Sequence, residues 1–127
     1  MEHTSTFVLG DDNSIKYYYN DIFRRNINSK YKNISLNFSD KHNKIKDTCN
    51  LTQIHSLNMS NCDNIKDIGN LRKLKKLIIN KYIEGIHLLR ELDELILNND
   101  LIKCNKISRR IKKLKLINPT IKIEVIN

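Results

Sequence analysis

Apolar positions along the chain recur in one phrase. Leu71, Leu74, Leu77 and Ile79 are followed by Leu89, Leu92, Leu95 and Leu97, the same LxxLxxLxL spacing 18 residues later. Leu51, Ile54, Leu57 and Met59 carry it upstream, and Ser108, Ile111, Leu114 and Leu116 downstream. A fainter copy falls on Asn28, Tyr31, Ile34 and Leu36. The five starts, at 28, 51, 71, 89 and 108, are separated by 23, 20, 18 and 19 residues. Self-similarity at so short a period predicts a stacked-repeat architecture, in which each unit buries one inward stripe against its neighbours. The last two apolar positions of each phrase alternate with one residue between them, which is the period of a strand. Successive phrases are therefore expected to lie side by side as about five parallel strands.

Between the phrases run return arms whose apolar residues are irregularly spaced: Ile45; Ile65 and Ile68; Ile83 and Ile86; Leu101, Ile102 and Ile107. Coils of 18–20 residues leave little room for a full helix, so 3₁₀ turns or extended segments are expected on the outer side. The arm from Asp40 to Asn50 is the longest and most polar and is read as a loop.

The two ends depart from this pattern. Phe7-Val8-Leu9, closed by Gly10-Asp11-Asp12, reads as a strand on the sheet edge, the alternative being a loose end. Ile15, Tyr18, Tyr19, Ile22, Phe23 and Ile27 then fall on one helical face. Asn13 or Ser14 can cap that helix, with Asp11 and Asp12 beside its positive end and Arg24 and Arg25 near its negative end. Residues 1–27 are thus an N-terminal cap, a short strand plus an amphipathic helix, and 28–127 a repeat domain. The helix serves as a lid on the first coil, whose outer side has no neighbour. A sharper alternative makes it a docking helix for ubiquitin-ligase machinery, as in F-box proteins, whose adaptor-binding segment precedes repeats. At the other end, Ile121, Ile123 and Val125 alternate in TIKIEVIN, a closing edge strand whose Lys122 and Glu124 discourage edge-to-edge pairing.

The phrase LxxLxxLxLxxN/C resembles the signature of leucine-rich-repeat proteins over about residues 28–119. The resemblance implies an α/β solenoid: a short arc of parallel strands with an N-terminal capping helix and irregular convex segments. It also implies a polar residue eleven positions after each start, bonded to neighbouring coils. Those positions hold Ser39, Cys62, Tyr82, Asp100 and Pro119, of which Tyr82 and Pro119 depart from the pattern. Short irregular repeats in an Asn-, Ile- and Lys-rich chain are also similar to the multigene leucine-rich-repeat proteins of insect-infecting poxviruses and other large DNA viruses with AT-rich genomes.

Composition refines the picture. Ile, Lys and Asn make up 55 of the 127 residues, so part of the net charge of +9 reflects codon usage rather than a polyanionic partner. Three cysteines, an odd number, argue against a disulfide framework. With no signal peptide and no apolar run of membrane length, the expectation is an intracellular, cytoplasmic monomer away from membranes. Gly10, Gly69 and Gly85 stand alone, so no glycine-rich phosphate loop is expected. Cys49, His55, Cys62 and Cys104 match no zinc spacing. No enzyme, metal or cofactor is expected.

Function is then expected from a surface. The residues flanking each strand's paired apolar positions should line the concave face, with Ser35, Asn58, Ile78, Ile96 and Lys115 in a central column. Asn37, Ser60, Asn80, Asn98 and Ile117 should form the next. Two outward isoleucines bordered by amides and charges suit protein contact, which gives a candidate partner site of Asn58, Lys76, Ile78, Asn80, Glu94, Ile96 and Asn98. The competing explanation is that β-branched residues simply suit strands. Lys76, Glu94 and Lys113 are expected to form one charge ladder, and Lys75, Asp93 and Lys112 another. Arg109, Arg110, Lys112, Lys113 and Lys115 remain as a basic patch for accessory nucleic-acid binding, with no aromatic residue after Tyr82 to stack on bases.

Overall fold

The computed structural model describes residues 6–38 and 45–126. Six strands run parallel in one open sheet: β1 (Thr6–Leu9), β2 (Asn33–Asn37), β3 (Ser56–Asn58), β4 (Lys76–Ile79), β5 (Glu94–Asn98) and β6 (Lys122–Ile126). Each pairs with the next in sequence, so the chain advances across the sheet in a single direction. Helices α1 (Asp11–Tyr19) and α2 (Asp21–Lys30) join β1 to β2, and α3 (Asn99–Ile102) and α4 (Asn105–Ile117) join β5 to β6. The connections between β2 and β5 contain 3₁₀ turns at Cys49–Leu51 and Ile86–Leu88, in keeping with their short lengths.

From β3 to β5 the register follows the apolar phrase. Leu36, Leu57, Leu77, Leu95 and Ile123 occupy one cross-strand row, and the four leucines are buried. Behind them pack Ile45, Ile65, Ile68, Ile83, Ile86, Leu101 and Ile107 from the connections, all buried, whereas Ile102 is exposed. One continuous core therefore lies between the strands' inward face and their connections. Ser39 and residues 40–44 of the long polar arm lie outside the described residues.

The last copy of the phrase is not a strand. Ser108, Ile111, Leu114 and Leu116 lie on α4, and the place beside β5 is taken by β6. Ile107, Ile111 and Leu114, at i, i+4 and i+7, form the buried face of that helix. Straight-chain Arg109, Arg110, Lys112, Lys113 and Lys115 between them favour helix, whereas β4 and β5 carry Ile78 and Ile96 between their inward residues. Pro119 disfavours helical backbone at Asn118, where α4 ends.

The N-terminal helix is also divided. Asn20 adopts extended backbone (φ −104°, ψ 109°), and its side chain accepts from the Phe23 N–H at 2.9 Å, capping α2. The break rotates one half against the other, so Tyr17, Tyr18 and Ile27 are buried while Tyr19 and Ile22 are 56% and 73% exposed. Arg24 bridges the break by donating to the carbonyls of Tyr17 and Tyr18, both at 2.9 Å, and it pairs with Asp21. Neither Asn13 nor Ser14 caps α1, which begins after Gly10. Buried Ser14 instead donates to the Leu9 carbonyl (3.0 Å) and accepts from the Asn37 N–H (2.9 Å), fastening α1 to β1 and β2. The Phe7–Leu9 run is the strand β1, in register with Ile34–Leu36.

Side-chain bonds between successive connections include several from asparagines at other places than those expected. Asn50 Nδ2 donates to the Tyr18 carbonyl (3.1 Å), and Asn70 shares two bonds with Thr48 (2.5 and 3.4 Å). Asn118 Nδ2 donates to the carbonyls of Leu89 and Leu92 (3.2 and 3.0 Å). Asn50 and Asn70 each stand immediately before a phrase, at Leu51 and Leu71.

Candidate protein-contact face

Alternation along a strand sends successive side chains to opposite sides of the sheet. With the leucines inward, the other face of β2–β6 is lined by two rows. One runs Asn37, Asn58, Ile78, Ile96 and Glu124; the other runs Ser35, Ser56, Lys76, Glu94 and Lys122. The expected central column is thus corrected at both ends. Ser35 belongs to the second row, because β2 pairs with β3 two residues out of step with the apolar phrase. Lys115 is replaced by Glu124, because its segment is helical.

Ile78 and Ile96 are cross-strand partners on this face, and both are only partly buried. Their neighbours in the row are the amide of Asn58 and the carboxylate of Glu124. Beside them Lys76 and Glu94 face each other with Nζ and Oε2 at 3.7 Å. Both side chains are well exposed, so the pair contributes about 0–1 kcal/mol, enough to favour register and little more. The third rung of that ladder is Lys122, not Lys113. Lys112 and Lys113 stand exposed on α4, so neither expected ladder extends to them.

Two of the expected contact amides are partly committed to local structure. Asn58 Oδ1 accepts from the Ser60 N–H and hydroxyl (3.2 and 2.8 Å), and Asn98 Oδ1 accepts from the Asp100 N–H (2.8 Å) at the start of α3. Their NH₂ groups are the parts left to meet a partner. Asn80 is exposed just beyond β4. Asn37, expected in the neighbouring column, lies in the same row as the isoleucines, and its Oδ1 is buried with no hydrogen-bond partner among the described residues. Reading every copy in the same phase hid that placement.

The basic patch is brought together on one helix. Arg109, Lys112, Lys113 and Lys115 are exposed on α4. Arg110 is not free, since its Nη2 lies 3.5 Å from Glu84 Oε2, a carboxylate on the connection between β4 and β5.

The thiols and imidazole do not converge. Among the described residues no three His, Cys, Asp or Glu side chains come together as metal ligands. Cys62 is buried in the core, which pushes its pKa up to about 12 and keeps it a neutral thiol. His55 Nδ1 accepts from the Ile34 N–H at 3.2 Å. Burial, followed by the charges of Lys73 and Lys75, lowers its pKa, so the ring is neutral and the acceptor persists.

Among the described residues no helix is long and apolar enough to cross a membrane. In comparisons with known proteins, no family model matches the chain, and neither does any curated protein or solved structure.

Proposed function

We propose that the chain is a short, irregular leucine-rich-repeat solenoid that holds a protein partner against its open face without catalysing a reaction. The observation that carries this reading is the pairing of Ile78 with Ile96 on the outward side of β4 and β5. An aliphatic pair facing solvent, bordered by Asn58, Lys76, Glu94 and Glu124, offers an apolar centre with a polar rim. The repeat reading is supported by the buried, register-matched Leu57, Leu77 and Leu95, each from an equivalent place in its phrase. A surface built on paired strands is rigid before binding and loses little freedom when a partner docks.

The test is affinity capture from the native cell, comparing the wild type with an Ile78→Asp/Ile96→Asp variant whose fold is checked by circular dichroism. Loss of a specific partner from the variant is expected; unchanged capture contradicts the site. A second reading is favoured by one observation, the exposure of Tyr19 and Ile22 around the α1–α2 break. It makes that helix pair the docking element of an adaptor. Capture lost in Tyr19→Ser/Ile22→Ser and retained in the isoleucine variant selects it.

A further inference from the structure

Away from the strands themselves, the connection between β4 and β5 meets α4. There Tyr82, Glu84, Lys106, Arg109 and Arg110 line a small cleft of about 210 Å³. Four of its five lining residues are charged and the fifth is Tyr82, whose ring supplies the apolar part of the wall, so it lacks the predominantly apolar lining of a pocket for a drug-like molecule. Its volume is also below the roughly 300–1,000 Å³ of such pockets, leaving room for one headgroup.

The charges in the cleft do not balance. Three cations face one carboxylate, leaving a surplus of two positive charges. Glu84 is held by the Tyr82 hydroxyl, which donates to Oε1 at 2.8 Å, and its contact with Arg110 is long at 3.5 Å. Lys106 Nζ lies 5.8 Å from the centre of the Tyr82 ring, a loose cation–π contact. Among the described residues the Arg109 side chain donates to the Asn105 carbonyl of its own helix, at 3.4 Å. The Arg110 guanidinium also interacts with the Tyr82 hydroxyl, but among the described residues its buried Nε meets no hydrogen-bond partner. A buried N–H left unsatisfied is costly, so the guanidinium, paired only loosely with Glu84, is under-supplied with acceptors. The first turn of α4, which carries Lys106, contains no acidic residue to satisfy its positive end.

We propose that this cleft binds a phosphate monoester, with Arg110 as the forked donor, Lys106 and Arg109 as flanking charges, and Glu84 as an internal competitor for Arg110. A monoester at neutral pH carries about −1.5 to −2 charges and three acceptor oxygens. It neutralises the surplus that a carboxylate or a phosphodiester, with one negative charge, leaves half unmet. Arginine's planar fork suits such an anion better than lysine alone. The inference does not depend on the role of the open face, and its test uses small probes rather than a protein partner.

The experiment is a titration of the ¹⁵N-labelled full chain with inorganic phosphate, phosphoserine, dimethyl phosphate and an oligonucleotide lacking terminal phosphates, followed by amide shifts. Phosphate and phosphoserine are expected to produce saturable shifts at Glu84, Lys106 and Arg110, and dimethyl phosphate none. Tighter binding of phosphoserine than of phosphate assigns the site to a phosphorylated side chain, and equal binding assigns it to the free anion. Arg110→Gln should weaken binding about tenfold or more, and Lys106→Gln/Arg109→Gln, at two exposed positions, should do the same should Arg110→Gln fail to fold. Glu84→Gln should tighten it, an effect that a purely structural role for Glu84 does not produce. Absence of saturable shifts, binding of the diester or the oligonucleotide as tightly as the monoesters, or weaker binding in Glu84→Gln overturns the proposal.

Discussion

His55 serves three strands at once. Its N–H donates to the Ile34 carbonyl (2.9 Å), its Nδ1 accepts from the Ile34 N–H (3.2 Å), and its carbonyl accepts from the N–H groups of Lys75 and Lys76 (2.7 and 3.1 Å). The side-chain bond requires an unprotonated Nδ1, so protonating the ring exchanges an acceptor for a second donor facing a donor. Burial lowers the ring's pKa below its ordinary 6.5, with Lys73 and Lys75 acting in the same direction and Glu91 opposing them. The folded chain therefore binds fewer protons here than the unfolded chain. His55 weakens the fold as pH falls from about 6.5 to the lowered folded value, and stability is full above that window. Chemical denaturation at a series of pH values should show this loss in the wild type. His55→Asn, which retains an acceptor and cannot titrate, should remove it; an identical acid slope in both proteins contradicts the assignment. In the sequence His55 reads only as a candidate soft ligand, because the partner that defines its role is a backbone N–H 21 residues away.

Between the elements, two connections come into close backbone contact. Ile68 N–H donates to the Glu84 carbonyl and Glu84 N–H to the Lys66 carbonyl, both at 2.9 Å, which draws Gly69 against Gly85. Gly85 has φ of 92°, the left-handed region, and a Cβ placed there would stand 2.5 Å from Gly69 N. Gly85→Ala should accordingly cost at least about 1–2 kcal/mol from backbone conformation alone, with the clash in addition. At Gly69 the nearest atom to an added Cβ is the flexible end of Leu88, at 2.9 Å, so Gly69→Ala should cost less. Urea unfolding midpoints give the order; equal midpoints for wild type and Gly85→Ala contradict it. The lone glycines were visible in the sequence, but their contact depends on how far two connections of different length advance. The strands β3, β4 and β5 were readable because burial on one face forces alternation, as Leu77-Ile78-Ile79 and Leu95-Ile96-Leu97 show. α4 was not, because spacings of three and four residues satisfy a helix face as well as the repeat phrase, and the lysines and arginines between them decide for helix.

At the scale of the molecule, the same chain direction that buries the leucines determines what the outer face displays. One residue of slip of β4 against its neighbours would send Leu77 outward and Ile78 inward. The continuity of the core from Leu36 to Leu97 is thus what places Ile78 beside Ile96. The candidate face was legible at its centre, where β4 and β5 follow the phrase in phase, and was misplaced at its ends. β2 is offset by two residues, and the final rung comes from β6, whose Lys122 and Glu124 complete the two rows. Ile123 and Val125 of β6 lie inward but are covered only in part, as expected of the last strand in an open sheet. The most direct measurement is a methyl- and amide-resolved NOE experiment on the full chain. The structure predicts cross-strand contacts from Leu95 to Leu77 and Ile123 on one side, and from Ile96 to Ile78 and Glu124 on the other. Contacts placing Leu114 beside Leu95, or Ile78 and Ile96 on opposite faces of the sheet, would contradict it.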